Sequence, residues 1–127
     1  MGYSVIETAD GGYLIAGTSR SFSTTGEDDV YLVKTDSQGT LEWETTYGGD
    51  AVDFAISVLE TDDGGFILTG GTDNFGPGAR SVWLIRTDSE GDSLWTSTFG
   101  GTGHEWGWCV SETIDGYLIT GRTTSFG

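Results

Sequence analysis

One short segment of the chain brings together residue types that bind ligands in many proteins. His104, Glu105 and Trp106 are consecutive, so an imidazole, a carboxylate and an indole share one connecting loop. The corresponding loop, 52 residues earlier, contributes the carboxylates of Asp50 and Asp53. Binding residues concentrate in loops, because the regular elements hold them in place while the loops are free to vary. These five residues are therefore a candidate site for a sugar or a metal ion.

Two features of this segment limit its chemistry. A zinc site needs several imidazole or thiolate ligands, and the chain has one histidine and one cysteine. Trp106 lies two residues before Trp108, which suits stacking on a sugar ring but is explained equally well by aromatic packing inside the fold. Cys109 has no partner for an internal disulfide. It aligns with Ser4 and Ser57, so we expect a small buried residue rather than a nucleophile.

A second set of candidate ligands is acidic and lies in predicted turns. The aspartates concerned are Asp10, Asp62, Asp63 and Asp115. Carboxylate and carbonyl oxygens bind Ca²⁺, so a calcium site is one interpretation. The other is that aspartate favours turns, and neither an EF-hand spacing nor a calcium-binding nonapeptide repeat is present. We therefore predict no cofactor and keep calcium at these four aspartates as the alternative.

The charge of the chain excludes several classes of partner. Twenty acidic residues stand against five lysines and arginines, which gives a formal net charge of -15 at pH 7. Such a chain is repelled by nucleic acid and by anionic membrane surfaces, and it has no apolar stretch long enough to insert into a membrane. The charge suits an extracellular or high-salt setting, or simple solubility. No nucleophile, base and orienting group occur together, so the sequence does not predict an enzyme.

The elements that would position these residues are set by an internal repeat. Residues 30–49 align with residues 82–101 at an offset of 52 without a gap. Each copy has an apolar run, a turn of the type Asp-Ser-x-Gly, and an alternating run that ends in Gly-Gly. A repeat of this length indicates a unit that buries its apolar face by stacking on its neighbours. Trp43 and Trp95 keep one register of the repeat, so we expect them to have a structural role rather than to form a ligand site.

The runs between the turns predict strands and no helix. In the first repeat we expect strands near residues 3–8, 13–18, 30–35 and 41–47. In the turns, aspartate is expected to cap the backbone and glycine to adopt a positive φ. The second repeat retraces this path, and the third stops after its second strand. The prediction is therefore ten strands, grouped as four, four and two.

This pattern indicates one type of all-β fold. Four short antiparallel strands in a repeat of about 50 residues are typical of a β-propeller blade. The predicted fold is all-β, with β-propeller-type four-stranded antiparallel blades: two complete blades and an inner half-blade. We assign residues 1–127 to a single partial β-propeller, with repeats at 2–54 and 55–106 and a half repeat at 107–127.

The repeat also resembles a known type. Residues 4–17 read Ser-Val-Ile-Glu-Thr-x-Asp-Gly-Gly-Tyr-Leu-Ile-Ala-Gly, residues 29–39 read Asp-Val-Tyr-Leu-Val-Lys-Thr-Asp-Ser-x-Gly, and Leu-x-Trp and Gly-Gly follow within residues 41–49. This pattern is similar to the β-propeller repeats of large bacterial and archaeal secreted and surface proteins. The resemblance covers essentially the whole chain. It implies a multi-bladed disc in an exported protein, extracellular or at the cell surface, beside adhesion or anchoring modules and with no catalytic residues in the repeat itself.

Two and a half blades do not close a ring of about four to eight, which leaves two expectations for the partners. In one, the chain is a fragment and further blades of a longer chain complete the ring. In the other, copies of the chain self-assemble, as five blades from two copies or as an open filament. The leading interpretation of function is a non-catalytic structural or adhesive module that acts by protein–protein association. The alternative is a carbohydrate-binding propeller that holds glycans with aromatic and acidic loop residues.

Overall fold

The described part of the chain folds into β-strands and the turns between them. The computed structural model describes residues 2–21, 23, 25–73 and 79–124, and for residues 2, 3, 107 and 108 it describes the backbone only. Within these residues every regular element is a β-strand, so the predicted all-β class is confirmed. The side chain of Trp108, which the sequence places near Trp106, lies outside the described set.

Ten strands form three antiparallel sheets. The first sheet contains β1 (Gly2–Glu7), β2 (Tyr13–Ser19), β3 (Asp29–Thr35) and β4 (Leu41–Tyr47). The second contains β5 (Asp53–Glu60), β6 (Phe66–Thr72), β7 (Ser81–Thr87) and β8 (Ser93–Phe99). The third contains β9 (Glu105–Glu112) and β10 (Tyr117–Thr123). In each sheet the strands follow chain order, so the predicted grouping of four, four and two is confirmed.

Two turns show how the sequence ends one strand and begins the next. The Asp36 carboxylate accepts hydrogen bonds from the backbone N–H groups of Gln38 and Thr40 at 2.8 and 2.9 Å. Gly39 has a φ of 83°, a left-handed conformation that residues with a side chain rarely adopt. The same cap closes the equivalent turn of the second sheet at Asp88. The predicted roles of aspartate and glycine in these turns are confirmed.

The three sheets pack face to face, and the middle sheet is covered on both sides. One apolar core joins the first and second sheets and contains Leu14, Ala16, Val30, Leu32, Ala55, Val58, Phe66, Leu68, Trp83 and Ile85. A smaller core joins the second and third sheets and contains Ile67, Leu84 and Val110, with Leu59, Tyr117 and Ile119 packed around them. Every residue of β6 is buried, because its alternating side chains enter two different cores.

Backbone hydrogen bonds between consecutive sheets repeat with the sequence. The N–H of Asp53 donates to the carbonyl of Asp28 at 2.7 Å, and the N–H of Glu105 donates to the carbonyl of Arg80 at 2.9 Å. Donor and acceptor are each displaced by 52 residues between the two bonds. The internal repeat therefore specifies the interface between sheets as well as the sheet itself.

Aromatic pairs cross the same interfaces. The rings of Trp43 and Phe66 lie 6.1 Å apart with 50° between their planes, and those of Trp95 and Tyr117 lie 6.4 Å apart at 52°. Each pair joins the fourth strand of one repeat to the second strand of the next, in the tilted geometry that aromatic rings prefer. Trp43 packs against the core between the first and second sheets, whereas Trp95 is 42% exposed. Tyr13, at the position of Phe66 in the first repeat, is exposed.

The outer faces of the first and third sheets are left uncovered by the described strands. Val58 and Val110 are each 4% exposed, whereas Val5, at the same register of the first sheet, is 63% exposed. Leu14 is fully buried, whereas its equivalent in the third sheet, Leu118, is 59% exposed. The described strands thus form an open stack of sheets and do not close a ring.

Cys109 is exposed, so the prediction of a small buried residue is wrong. Side chains alternate along a strand, and the neighbouring Val110 enters the core between the second and third sheets. Cys109 therefore points to the outer face of the third sheet, which no described strand covers. Ser57 is less exposed, because the third sheet lies over it and its hydroxyl accepts a 3.5 Å hydrogen bond from the N–H of Val110.

Candidate functional site

Two of the predicted ligand carboxylates are buried and bonded to the protein itself. Asp53 and Glu105 are the first residues of β5 and β9, and they are 0% and 2% exposed. Asp53 accepts hydrogen bonds from the N–H of Gly49 at 2.9 Å and from the Thr72 hydroxyl. Glu105 accepts one from the Thr123 hydroxyl at 3.0 Å. A threonine at the end of the second strand thus anchors the start of the first strand in the second and third repeats. Asp53 and Glu105 are 52 residues apart and the two threonines are 51 apart, so the repeat was the sequence signal for this bond.

Trp106 is half-buried among cationic and aromatic groups. The guanidinium of Arg122 lies 5.2 Å from its ring centre and that of Arg80 lies 5.8 Å away, distances at which a cation is attracted to the ring. His104 stacks on Trp106 at 5.9 Å with 20° between the planes, so the structure brings these two predicted residues together. Two of the five lysines and arginines of this acidic chain therefore meet at one indole. Nothing in the residue spacing indicated that Arg80 and Arg122 would converge there.

Arg80 connects this indole to a cavity between the loops. Hydrogen bonds from Arg80 to the Asp73 carboxylate, at 2.6 and 2.8 Å, raise the pKa of Arg80, and the nearby charge of Asp53 raises it further. The guanidinium also lies 5.0 Å from the ring centre of Phe54, the register equivalent of Trp106. The cavity, of about 320 Å³, is lined by Thr18, Asp28, Val52, Phe54, Ile56, Arg80 and Trp106, and we call it the loop cavity.

Among the predicted calcium ligands, Asp10 and Asp63 are each paired with a buried cation. Lys34 Nζ lies 3.1 Å from an Asp10 oxygen, and Arg86 Nη2 lies 2.6 Å from an Asp63 oxygen. The side chains of Lys34 and Arg86 are 5% and 8% exposed, and both extend from the third strand of their sheet to the turn between the first two strands. These carboxylates therefore neutralise cations that the fold has already buried.

Hydrogen bonds explain why these two aspartates are unusually acidic. The Thr8 hydroxyl donates to Asp10 at 2.5 Å, and together with a backbone N–H and Lys34 it lowers the pKa of Asp10 to about 2. In the second sheet the Thr61 hydroxyl, followed by the guanidinium, holds the pKa of Asp63 well below its usual range. Both carboxylates are therefore charged at neutral pH and already have cationic partners.

The remaining predicted ligands are exposed and separate from these pairs. Asp62 and Asp115 lie beside one cavity of about 320 Å³, next to the turn between β9 and β10. Asp50 lies in the loop between β4 and β5 and does not line the loop cavity. In residues 2–21, 23, 25–73 and 79–124, no three His, Cys, Asp or Glu side chains are grouped so as to hold a metal ion. Calcium binding stays a prediction.

A groove of about 440 Å³ runs beside β10. Val82 and Phe99 of the second sheet form its floor, and Tyr117, Ile119 and Gly121 of β10 form one wall. The rest of its lining is Gly100, Glu105, Trp106, Arg122 and Thr123. We call it the β10 groove. The repeat pattern predicts that the edge of β10 is open, but the groove depends on how the second and third sheets pack, which the pattern does not specify.

Comparison with known proteins adds no relative to these observations. Neither a protein-family model nor a curated protein matches the chain. The described residues also contain no helix that is long and apolar enough to cross a membrane.

Proposed function

We propose that the chain is a non-catalytic structural or adhesive module of an exported or surface protein, that its four-stranded sheets are β-propeller blades, and that it acts by protein–protein association. The observation that carries this proposal is the exposure of apolar positions on both outer sheets. Val5 and Leu118 are exposed, and the residues at their registers elsewhere, Val58, Val110 and Leu14, are buried between sheets. An apolar face that is covered in two sheets and open in a third favours association.

The partners that fit these faces are sheets of the same kind. The two sheet interfaces of the described residues share register positions, such as Val58 with Val110 and Leu14 with Ile67. Each outer face therefore matches the face that a further repeat would present. The partners proposed are accordingly further copies of the chain or further blades of a longer chain. A head-to-tail arrangement gives a ring if the rotation between neighbours closes and a filament if it does not.

The mass of the particle in solution tests this proposal. Light scattering and negative-stain imaging should give an assembly larger than one chain, and Leu118→Glu should reduce the mass by placing a charge on the outer face of the third sheet. Ile114→Glu is the matched control, because Ile114 is fully exposed in a turn and adds the same charge away from the sheet face. A particle with the mass of one chain at every concentration measured would contradict the proposal.

A second candidate, carbohydrate binding, is favoured by the composition of the loop cavity. Phe54 and Trp106 offer aromatic surface, and Asp28 and Arg80 offer hydrogen-bonding groups beside them. Sugar sites combine aromatic stacking with a few placed polar groups in this way. A glycan array tests it: a hit that is abolished by Trp106→Ala and retained by Trp95→Ala would support this candidate. An array without a hit would remove it.

A further inference from the structure

We propose that the β10 groove binds an extended β-strand of another polypeptide segment, one that follows the third-strand pattern of this chain: Val, aromatic, Leu, Ile or Val, Lys or Arg, Thr. The pattern is that of β3, Val30–Thr35, and of β7, Val82–Thr87. This inference rests on the proposed function and names the partner that one association surface accepts. The partner strand would lie antiparallel to β10, as β3 lies to β2 and β7 to β6.

The backbone of β10 offers the first requirement, an open edge. β10 pairs with β9 on one side, and no strand among residues 79–124 or elsewhere in the described chain pairs with its other side. Its equivalents β2 and β6 are paired on both sides. An edge of this kind presents N–H and C=O groups to an added strand, which supplies affinity through the main chain.

The floor of the groove offers the second requirement, an apolar surface of the right register. Val82 and Phe99 are equivalent to Val30 and Tyr47 of the first sheet. Val30 is fully buried and Tyr47 packs against the core that the third strand β7 helps to form, whereas Phe99 is 49% exposed. A third strand on β10 would therefore cover the floor as β7 covers the first sheet.

The strand register shows which partner residue lies over the groove. In the complete sheets an aromatic residue of the third strand pairs with a glycine of the second: Tyr31 with Gly17, and Trp83 with Gly70. Gly121 holds this position in β10 and lines the groove. The aromatic residue of the partner is therefore expected opposite Gly121, where no side chain obstructs it.

The turn before the second strand shows why the partner needs a cation. In the complete sheets the third strand sends Lys34 to Asp10 and Arg86 to Asp63, and a glycine precedes the second strand at that point. A Cβ atom on Gly12 would clash with the carbonyl oxygen of Thr35 and lie 2.8 Å from Lys34 Nζ, and one on Gly65 would clash with the carbonyl oxygen of Thr87 and with Arg86 Nη1. The glycine therefore leaves the space that the backbone of the third strand and its cation fill.

The third sheet has an aspartate and a glycine in the corresponding turn, and no described cation lies between them. Asp115 follows Thr113 by two residues, as Asp10 follows Thr8, and Gly116 directly precedes β10, although this turn is one residue shorter than its equivalents. A Cβ atom on Gly116 would meet no atom closer than the Thr113 hydroxyl oxygen at 3.9 Å, and Asp115 makes no ion pair with any described residue. A lysine or arginine at the fifth position of the partner pattern would fill this space and pair with Asp115.

A labelled peptide with the sequence of residues 80–88 tests the proposal by fluorescence anisotropy against the full chain. We expect saturable binding and new protection of the β10 amides from hydrogen exchange. A peptide that carries the substitution Arg86→Glu should bind with a Kd about tenfold or more higher, the usual loss for a hydrogen-bonded charge pair. Asp115→Lys in the chain should restore the binding of this variant peptide and weaken that of the original one. Such reciprocal rescue identifies the residue that the cation meets.

Two chain variants give the controls. Gly116→Ala should leave the stability of the chain unchanged, because the site is open and its φ is not left-handed. It should weaken binding, because the added methyl group takes the space that the partner's backbone and cation would fill. Glu90→Gln, at an exposed carboxylate of the turn between β7 and β8 that lines neither the β10 groove nor the cavity beside Asp115, should leave binding unchanged. Absence of binding, or binding that is insensitive to both Asp115→Lys and Gly116→Ala, would overturn the proposal. Chains that self-associate but do not bind the peptide would refute strand binding at the β10 groove and would not contradict the proposed function. A chain that stays monomeric but binds the peptide would contradict the proposed function and support strand binding.

Discussion

Two leucines at equivalent positions in different sheets can be used to measure how much burial beneath a neighbouring sheet contributes to stability. Leu14 of β2 and Leu118 of β10 are equivalent positions, and substitution by alanine removes the same atoms from both. Leu14 is 0% exposed beneath the second sheet, whereas Leu118 is 59% exposed. We expect Leu14→Ala to lower the free energy of unfolding much more than Leu118→Ala.

The size of the difference follows from burial. Leucine to alanine removes about three methylene equivalents, which are worth ~2.4 kcal/mol when fully buried. At Leu14 the cavity left behind adds to this, for a total of about 3–4 kcal/mol. At Leu118 about two-fifths of the side chain is covered and no closed cavity forms, so the loss is ~1 kcal/mol. The two variants should therefore differ by about 2–3 kcal/mol.

Urea unfolding followed by tryptophan fluorescence measures both losses, at a protein concentration where the chain is monomeric. Equal slopes of free energy against urea would show that the midpoint shift reports stability. Val58→Ala and Val5→Ala form a matched second pair, 4% and 63% exposed, and should rank in the same order with a smaller difference. Equal losses from the two leucine variants would refute the reasoning, because cover by the neighbouring sheet would then contribute nothing.

Three further predictions concern charged side chains. The pKa of Asp10 is about 2 rather than 3.8, so the stability that its carboxylate contributes is complete above pH 3.8 and is lost as the pH falls towards 2. Urea titrations should therefore show that acid lowers the free energy of unfolding less in Asp10→Asn than in the parent chain. Burial raises the pKa of Asp29, and its Oδ1 has no hydrogen bond from the described residues. Asp29→Asn should therefore raise the free energy of unfolding at pH 7 and raise it less below pH 3.8, where the aspartate is protonated. Equal increases at the two pH values would contradict this prediction. Arg80 and Asp73 are 22% and 24% exposed and doubly hydrogen-bonded, so an alanine double-mutant cycle should give a coupling of about 1–2 kcal/mol, and a value near zero would contradict it.

The strands and turns could be predicted because they depend on short-range patterns that occur more than once. The aspartate cap at Asp36 recurs at Asp88, and the strand bounds expected for the first repeat lie within one residue of the observed ones. The pairs Asp10–Lys34 and Asp63–Arg86 were also present in the sequence as a repeated acid and base. They become interpretable as ion pairs only when the antiparallel order of the strands places the third strand beside the first turn.

The contacts around Trp106 could not be predicted from the sequence, for a physical reason. His104, Arg80 and Arg122 reach the indole from three segments, and the segment of Arg80 follows a loop whose length differs between the repeats. No periodic pattern specifies how such a loop places its side chains. The prediction for Cys109 failed for a related reason, because register fixes the face on which a residue lies but not whether another sheet covers that face.

The repeated hydrogen bond between consecutive sheets has a consequence for how a gene encoding this protein can change. Its donors, the N–H groups of Asp53 and Glu105, and its acceptors recur with the period of the sequence, so a duplicated unit brings its own donor and its own acceptor. In such arrays stability is close to a sum of unit and nearest-neighbour contributions. Duplicating residues 55–106 should therefore raise the urea midpoint without any new interface having to evolve. Recombination can then change the number of units, while selection maintains the sequence of one type of unit.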